Sequence, residues 1–340
     1  MRRKFLATAR ALGLFALAHR LTSRGLRILC YHGVALADEQ QFQPKLFISE
    51  AVFRQRMAFL RARGYPVLTL ADALQRLDAG TLPRHATVIT FDDGWLGTGT
   101  LAAPVLAEAR FPSTLYVTTR EVLEGTPVLN VAVRYLLWAG RGAGRIESAP
   151  GGIGGSFDLA EPAQREALAT AICEHGGRLE PAARLTLMQG LAARLTIDWE
   201  RFERLRLCRL MDLTMLARLP AAGMDLQLHT HTHRFPDQDR VAAADEIARN
   251  RQALAPVAAS ELTHFCYPSG EYHAGQFAWL RESAVRSATT CVAGFNYAET
   301  ERMELRRFLD GENISQLEFE AEMSGFLELL RRARRWLKPA

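Results

Sequence analysis

The chain has 340 residues, room for one large α/β domain, and its 48% hydrophobic and 23% charged residues exclude a disordered chain. The net charge of +5 is mild and gathers at the ends, in Arg2, Arg3 and Lys4 and then Arg331, Arg332, Arg334, Arg335 and Lys338. No basic stripe alternates with aromatics, which argues against a nucleic-acid partner. The five cysteines, Cys30, Cys173, Cys208, Cys266 and Cys291, are scattered without a C-x-x-C pair. That argues against a disulfide framework or a cysteine metal site and leans towards a reducing compartment.

The N-terminal stretch "MRRKFLATARALGLFALAHRLTSRG" starts basic, and Arg10 interrupts its apolar run. The unbroken remainder is shorter than the roughly 20 apolar residues a membrane span requires. Taken as one helix, its leucines do not gather on one face. Residues 1–25 therefore read as a basic, apolar helix lying on a membrane or on the protein body, in a cytoplasmic or inner-membrane-associated chain. The alternative is a signal peptide ending near Ala16-Leu17-Ala18, and hence an exported, periplasmic protein. The basic termini are ordinary solvated helix ends or are drawn to an anionic membrane surface or an acidic glycan.

Apolar runs then alternate with helical patterns. "RILCYHGV" predicts a buried strand. "SEAVFRQRMAFLRARGY" predicts a helix capped by Ser49, with Phe53, Met57 and Leu60 on one face. "PVLTL" predicts a strand, "ADALQRLDAG" a helix, "ATVITFDDGW" a strand breaking into two aspartates, "LAAPVLAEARF" a helix and "STLYVTT" a strand. From about residue 120 to 210 the rhythm gives way to glycine-rich turns and helical stretches, which predicts a mostly helical insertion. The alternation then resumes through "MDLQLH", "LTHFCYPSG" and "SATTCVAG". Residues 26–315 thus form the main domain, and residues 316–340 read as one C-terminal helix, acidic early and basic late.

Alternating strands and helices imply a parallel sheet with crossover helices, an α/β barrel-like class. Polar residues follow each strand, and in such folds the strand C-termini form the active rim. "HTHTH" lies just past an apolar strand. As a strand it would point His229, His231 and His233 one way; as a turn it would pair His229 with His233. In "TFDDG" the adjacent Asp92 and Asp93 diverge, so one suits a metal and the other the water beside it. Two histidines and one aspartate make a facial set for a divalent metal: Zn2+ first, with Fe, Co or Ni as alternatives. The chemistry implied is metal-assisted hydrolysis of an amide or ester.

"TFDDG", "HTHTH", "CYHGV" and "FCYPSG" together resemble the polysaccharide deacetylase family, also called the NodB-homology group or carbohydrate esterase family 4. The resemblance covers about residues 27–119 and 211–308. It implies a distorted (β/α) barrel that removes acetyl groups from N-acetylated sugars, with a glycan partner such as a bacterial envelope polysaccharide or a lipid-linked glycan. On that resemblance Asp92 is the general base, Asp93, His229 and His233 hold the metal, and His231 falls at a variable position. Many members carry an arginine where Cys266 stands, and a late histidine as general acid; neither is present. His32 is the expected substitute acid. The Ser269 amide is expected to bind the oxyanion, with Tyr267 and Arg307 as further oxyanion or substrate contacts; a surface salt bridge is the alternative for Arg307. Two other readings stand beside this one: an O-acetyl esterase, using the same site on an easier leaving group, and a non-catalytic glycan-binding protein with a degenerate barrel, which the missing arginine and histidine alone support.

Overall fold

The computed structural model describes residues 2–336. Lys338 lies outside them, as do the side chains of Arg2 and Arg335. Seven strands form one all-parallel, curled sheet. In chain order the strands are β1 (Arg27–Tyr31), β2 (Gly33–Val34), β3 (Phe47–Ile48), β4 (Thr87–Phe91), β5 (Ser113–Val117), β6 (Arg145–Ala149), β7 (Ile153–Asp158), β8 (Met224–Leu228), β9 (His264–Cys266), β10 (Ser287–Thr289) and β11 (Phe308–Leu309). The large sheet runs β10-β9-β8-β5-β4-β1-β11, while β2-β3 and β6-β7 are separate two-stranded pairs. Every residue of β1, β4 and β5 is buried, as expected for strands covered on both faces. This is the distorted (β/α) barrel expected from the sequence. "PVLTL" contributes only an isolated bridge, Val67 to Thr87.

Register places the chemistry. Tyr31 pairs with Phe91, so His32 and Asp92 leave neighbouring strands at the same level. Val117 pairs with Leu228 and Leu228 with Phe265, which brings His229 beside the end of β9. Cys30 pairs with Leu309, so β11 delivers Arg307 and Asp310 to either side of the same region.

The segment 120–210 is helical except for the antiparallel pair β6-β7, whose turn uses Gly151 and Gly152 at φ 87° and 73°. Its helices Leu129–Ala139, Pro162–Gly176 and Pro181–Arg194 bury Leu136, Ile172, Met188 and Leu191 in the cluster that also holds Leu29, Phe91 and Leu226. Segment and barrel therefore share one core. Where the segment rejoins the barrel it pins the aspartate loop: Leu96 N–H donates to Arg209 O (3.0 Å) and Met211 N–H to Gly94 O (2.9 Å).

Both ends differ from the sequence reading. The N-terminal stretch is two helices, α1 (Arg2–Ala11) and α2 (Leu14–Leu21), broken at Gly13 with φ 73°. The break resets the helical phase, so Leu14, Leu17 and Leu21 do share a face. The expected single C-terminal helix is also two, Gln316–Met323 and Phe326–Trp336. They part at Gly325, where φ is 78° and a Cβ would meet Thr22 Oγ1 at 2.1 Å. No other residue fits there.

Candidate active site

The "HTHTH" segment leaves β8 as an irregular turn, with Thr230 at φ 63° and His233 at φ 56°. The turn separates the three imidazoles. His229 and His233 face each other, ring centroids 4.9 Å apart, while His231 turns to Thr119, Nδ1 to Oγ1 2.9 Å. Glu246 and Asn250, one turn apart on the helix Arg240–Leu254, hold the segment. Glu246 accepts from the amides of His231 (2.9 Å) and Thr232 (2.8 Å), and Asn250 Oδ1 accepts from the His229 amide (3.0 Å).

The two aspartates part in the same way. Asp92 follows β4 directly, its N–H donating to Tyr31 O of β1 (3.0 Å); Asp93 adopts φ 71° and swings to the histidines. A positive φ is tolerable for aspartate and costly for most residues. Asp93, Thr230, His233 and Ser269 all take it on this rim, the kind of strain that gathers at functional sites.

Asp93 Oδ2 accepts from Trp95 Nε1 at 2.7 Å. Its Oδ1 is a buried oxygen without a hydrogen-bond partner among the described residues, and His229 Nε2 and His233 Nε2 each lie 3.3 Å from it. His229 Nδ1 sits 2.8 Å from Cys266 O. A carbonyl only accepts, so Nδ1 carries the proton and Nε2 is left to bind a cation. Burial pushes the Asp93 carboxyl up, but the two imidazoles bring it well below the usual range. Burial would lower His229; Asp93 and Asp92 outweigh it and raise it. Both shifts say that the space between these three groups attracts positive charge. Asp93, His229 and His233 therefore fit a divalent metal.

Two other triads lie close enough to be considered, Cys30–His32–Asp92 and Asp92–His229–Cys266. Both require Asp92, which is already taken. Arg307 grips it with two parallel bonds, Nη1 to Oδ1 2.7 Å and Nη2 to Oδ2 2.8 Å. Burial also drives the Cys30 and Cys266 thiols upward, so they are neutral and poor ligands. Burial acts on Asp92 too, yet the Arg307 guanidinium holds it down to about 2.

Arg307 is the main correction to the sequence reading. It is fully buried, which removes both the surface salt bridge and the oxyanion or substrate contact. Its Nε donates to Thr290 O (2.9 Å), and Nη2 lies 3.1 Å from Cys266 Sγ. The guanidinium absent from position 266 thus arrives from beside β11, and a small residue at 266 leaves it room.

Tyr267 is the second correction. Its side chain is buried, its hydroxyl donates to Met303 O (3.0 Å), and its amide donates to Thr289 O (3.2 Å). Both groups serve the sheet and core, not the oxyanion. Ser269, at φ 58°, lines a cavity of about 730 Å³ together with His233, Phe235 and Tyr272. His32 Nε2 lies 3.8 Å from Asp92 Oδ2 with its side chain partly exposed.

Sequence reading missed Trp95, Glu246 and Asn250. Trp95 could have been found, because it stands two residues after Asp93. The other two lie on a helix whose polar residues look solvent-facing in one dimension.

A profile of the polysaccharide deacetylase family matches residues 211–288. No curated protein matches the sequence. Among solved structures, the Streptococcus pyogenes deacetylase PplD in complex with acetate is similar at TM-score 0.58 and 16% identity, covering 88% of this chain and 98% of that one. IcaB from Ammonifex degensii is similar at 0.56 and 18%, covering 88% and 97%. A de-N-acetylase from Aggregatibacter actinomycetemcomitans is similar at 0.54 and 13%, covering 87% and 99%.

Proposed function

We propose, from the premise that this chain is a polysaccharide deacetylase by family match and by fold, that it is a metal-dependent hydrolase of N-acetyl groups on an N-acetylhexosamine glycan. One observation carries the reading: the partnerless Asp93 Oδ1 faced by two imidazole Nε2 atoms, with Asp92 alongside in a separate ion pair. A divalent cation held there, zinc first and iron, cobalt or nickel otherwise, would supply the positive charge that polarises an acetyl carbonyl and acidifies water.

The chain's own groups supply the rest. Asp92 is ionised at neutral pH and accepts the proton of the attacking water. A carboxylate held near 2 is a weak base, so it serves only where that water is already acidified. Arg307 aims it and keeps it charged. The Ser269 amide, beside the cavity that His233 lines, is the proposed oxyanion donor. His32, partly exposed beside Asp92, protonates the departing amine. The degenerate-barrel reading rested on a missing arginine and a missing late histidine; Arg307 stands in for the first, and His32 is the group proposed for the second.

The test is acetate release from N-acetylated and O-acetylated hexosamine oligosaccharides, each with and without chelator. Chelator-sensitive release from the N-acetyl substrate supports the reading. Release only from the O-acetyl substrate converts it to an esterase, and no release from either removes it.

A further inference from the structure

Large apolar side chains that face solvent concentrate in one place. Of eight among the described residues, five lie in the N-terminal helices or the turn between them: Phe5, Leu12, Leu14, Leu17 and Leu21, exposed by 53, 71, 37, 53 and 65%. These helices are not loose. Their other face buries Leu6, Ala9, Phe15 and Ala18 against Ala321 and Phe326, and Arg10 pairs with Glu320 at 3.2 Å. A helix docked on a protein ordinarily turns a polar face outward. Here Leu14, Leu17 and Leu21, spaced i, i+3 and i+7, form a second apolar stripe in α2 beside the buried one. The apolar surface continues into a groove of about 430 Å³ lined by Phe5, Leu6, Leu327 and Leu330 with Arg331 and Arg334.

Exposed charge on the two N-terminal helices is basic, while the nearby carboxylates of Glu320, Glu322 and Glu328 are engaged by Arg10, Arg331 and Arg332. The first acidic residue of the chain is Asp38, and Arg3, Lys4, Arg20 and Arg24 are exposed on or next to α1 and α2. Outward leucines and phenylalanine among exposed cations match the two components of interfacial binding, apolar insertion and attraction to anionic headgroups. No helix among the described residues is long and apolar enough to cross a membrane. The helices also sit at a defined end of the barrel. His85, just before β4, donates its amide to Ser23 O (2.7 Å) and stacks on His19 with centroids 3.5 Å apart. That is the N-terminal end of the strands, opposite the rim.

We propose that α1, α2 and the last helix form a docking surface for an anionic phospholipid bilayer, on which the protein lies peripherally with its catalytic rim turned to the aqueous side. The experiment is co-sedimentation of the full chain with vesicles of phosphatidylcholine alone or with 30% phosphatidylglycerol. Binding is expected to the anionic vesicles and to weaken as salt rises. Leu14→Gln, Leu17→Gln and Leu21→Gln combined should lower it by roughly tenfold or more, with circular dichroism and the melting temperature unchanged. Arg3→Gln, Lys4→Gln, Arg20→Gln and Arg24→Gln combined should lower anionic binding by a similar factor; this set decides the question should the leucine variant misfold. Failure of the wild type to sediment with anionic vesicles overturns the proposal. So does undiminished binding of a folded leucine variant or of the charge variant. A vesicle-free dimer that the leucine substitutions dissociate would make the patch a self-interface and overturn it equally.

Discussion

Arg307–Asp92 and Arg56–Asp310 are the same chemical pair, both buried, and their carboxylates are pushed in opposite directions. Asp92 receives two parallel bonds from Arg307 at 2.7 and 2.8 Å, and its pKa falls to about 2. Asp310 receives one bond from Arg56, Nε at 3.0 Å, because Nη1 and Nη2 go to Gln316 Oε1 and Ile314 O. There burial prevails over Arg56, and the pKa rises to about 6. The forked grip adds to the charge of Arg307, and the imidazoles of His32 and His229 add to both, so Asp92 stays charged where Asp310 does not. The forked pair holds the carboxylate proposed to accept a proton, and the single-contact pair lies in the wall of the barrel.

The largest expected effect tests what the forked pair is for. Asp92→Asn should lower kcat by about 10²–10⁴-fold while metal content stays unchanged. Near-wild-type turnover would remove Asp92 as the base. Arg307→Met strands the Asp92 charge and should cost about 3–5 kcal/mol in urea unfolding, with activity lost as well. Arg307→Lys should regain part of that stability but little activity, since an ammonium cannot make both bonds. Equal recovery of both would show that charge alone suffices.

Arg56→Met should cost less, about 1–3 kcal/mol at pH 7, because Asp310 can escape by taking a proton. A cost equal to that of Arg307→Met would erase the contrast between the two pairs. The smallest effect is a pH slope. The folded pKa of Asp310, about 6, exceeds its unfolded value of 3.8, so between them the folded state holds the extra proton. Its contribution to stability is present below about 3.8 and lost as pH rises through about 6. Relative to Asp310→Asn, the wild type should therefore gain stability on acidification from pH 6 to 4. Parallel unfolding midpoints across that range would contradict the raised pKa.

Much of the rim was readable because its signals are local. Asp92-Asp93 and His229-x-x-x-His233 each sit where an apolar strand stops, and backbone turning at Asp93 and Thr230 only sharpens a division already implied by spacing. Arg307 was misread because its partner lies 215 residues away in sequence and meets it only after β11 joins β1. Tyr267 was misread because its neighbours in "CYPSG" border the cavity, while the tertiary fold turns the tyrosine itself to Met303. At the termini, single glycines hid the answer. Gly13 and Gly325 shift helical phase, and a wheel drawn through either mixes two faces.

The central claim is that Asp93, His229 and His233 hold one divalent cation that Asp92 does not hold. Metal content by mass spectrometry, on wild type, Asp92→Asn, Asp93→Asn and His229→Gln reconstituted side by side, tests it most directly. A single equivalent of metal in the first two and loss of it in the last two is expected. Metal retained by Asp93→Asn and His229→Gln, or lost from Asp92→Asn as completely as from them, would contradict it.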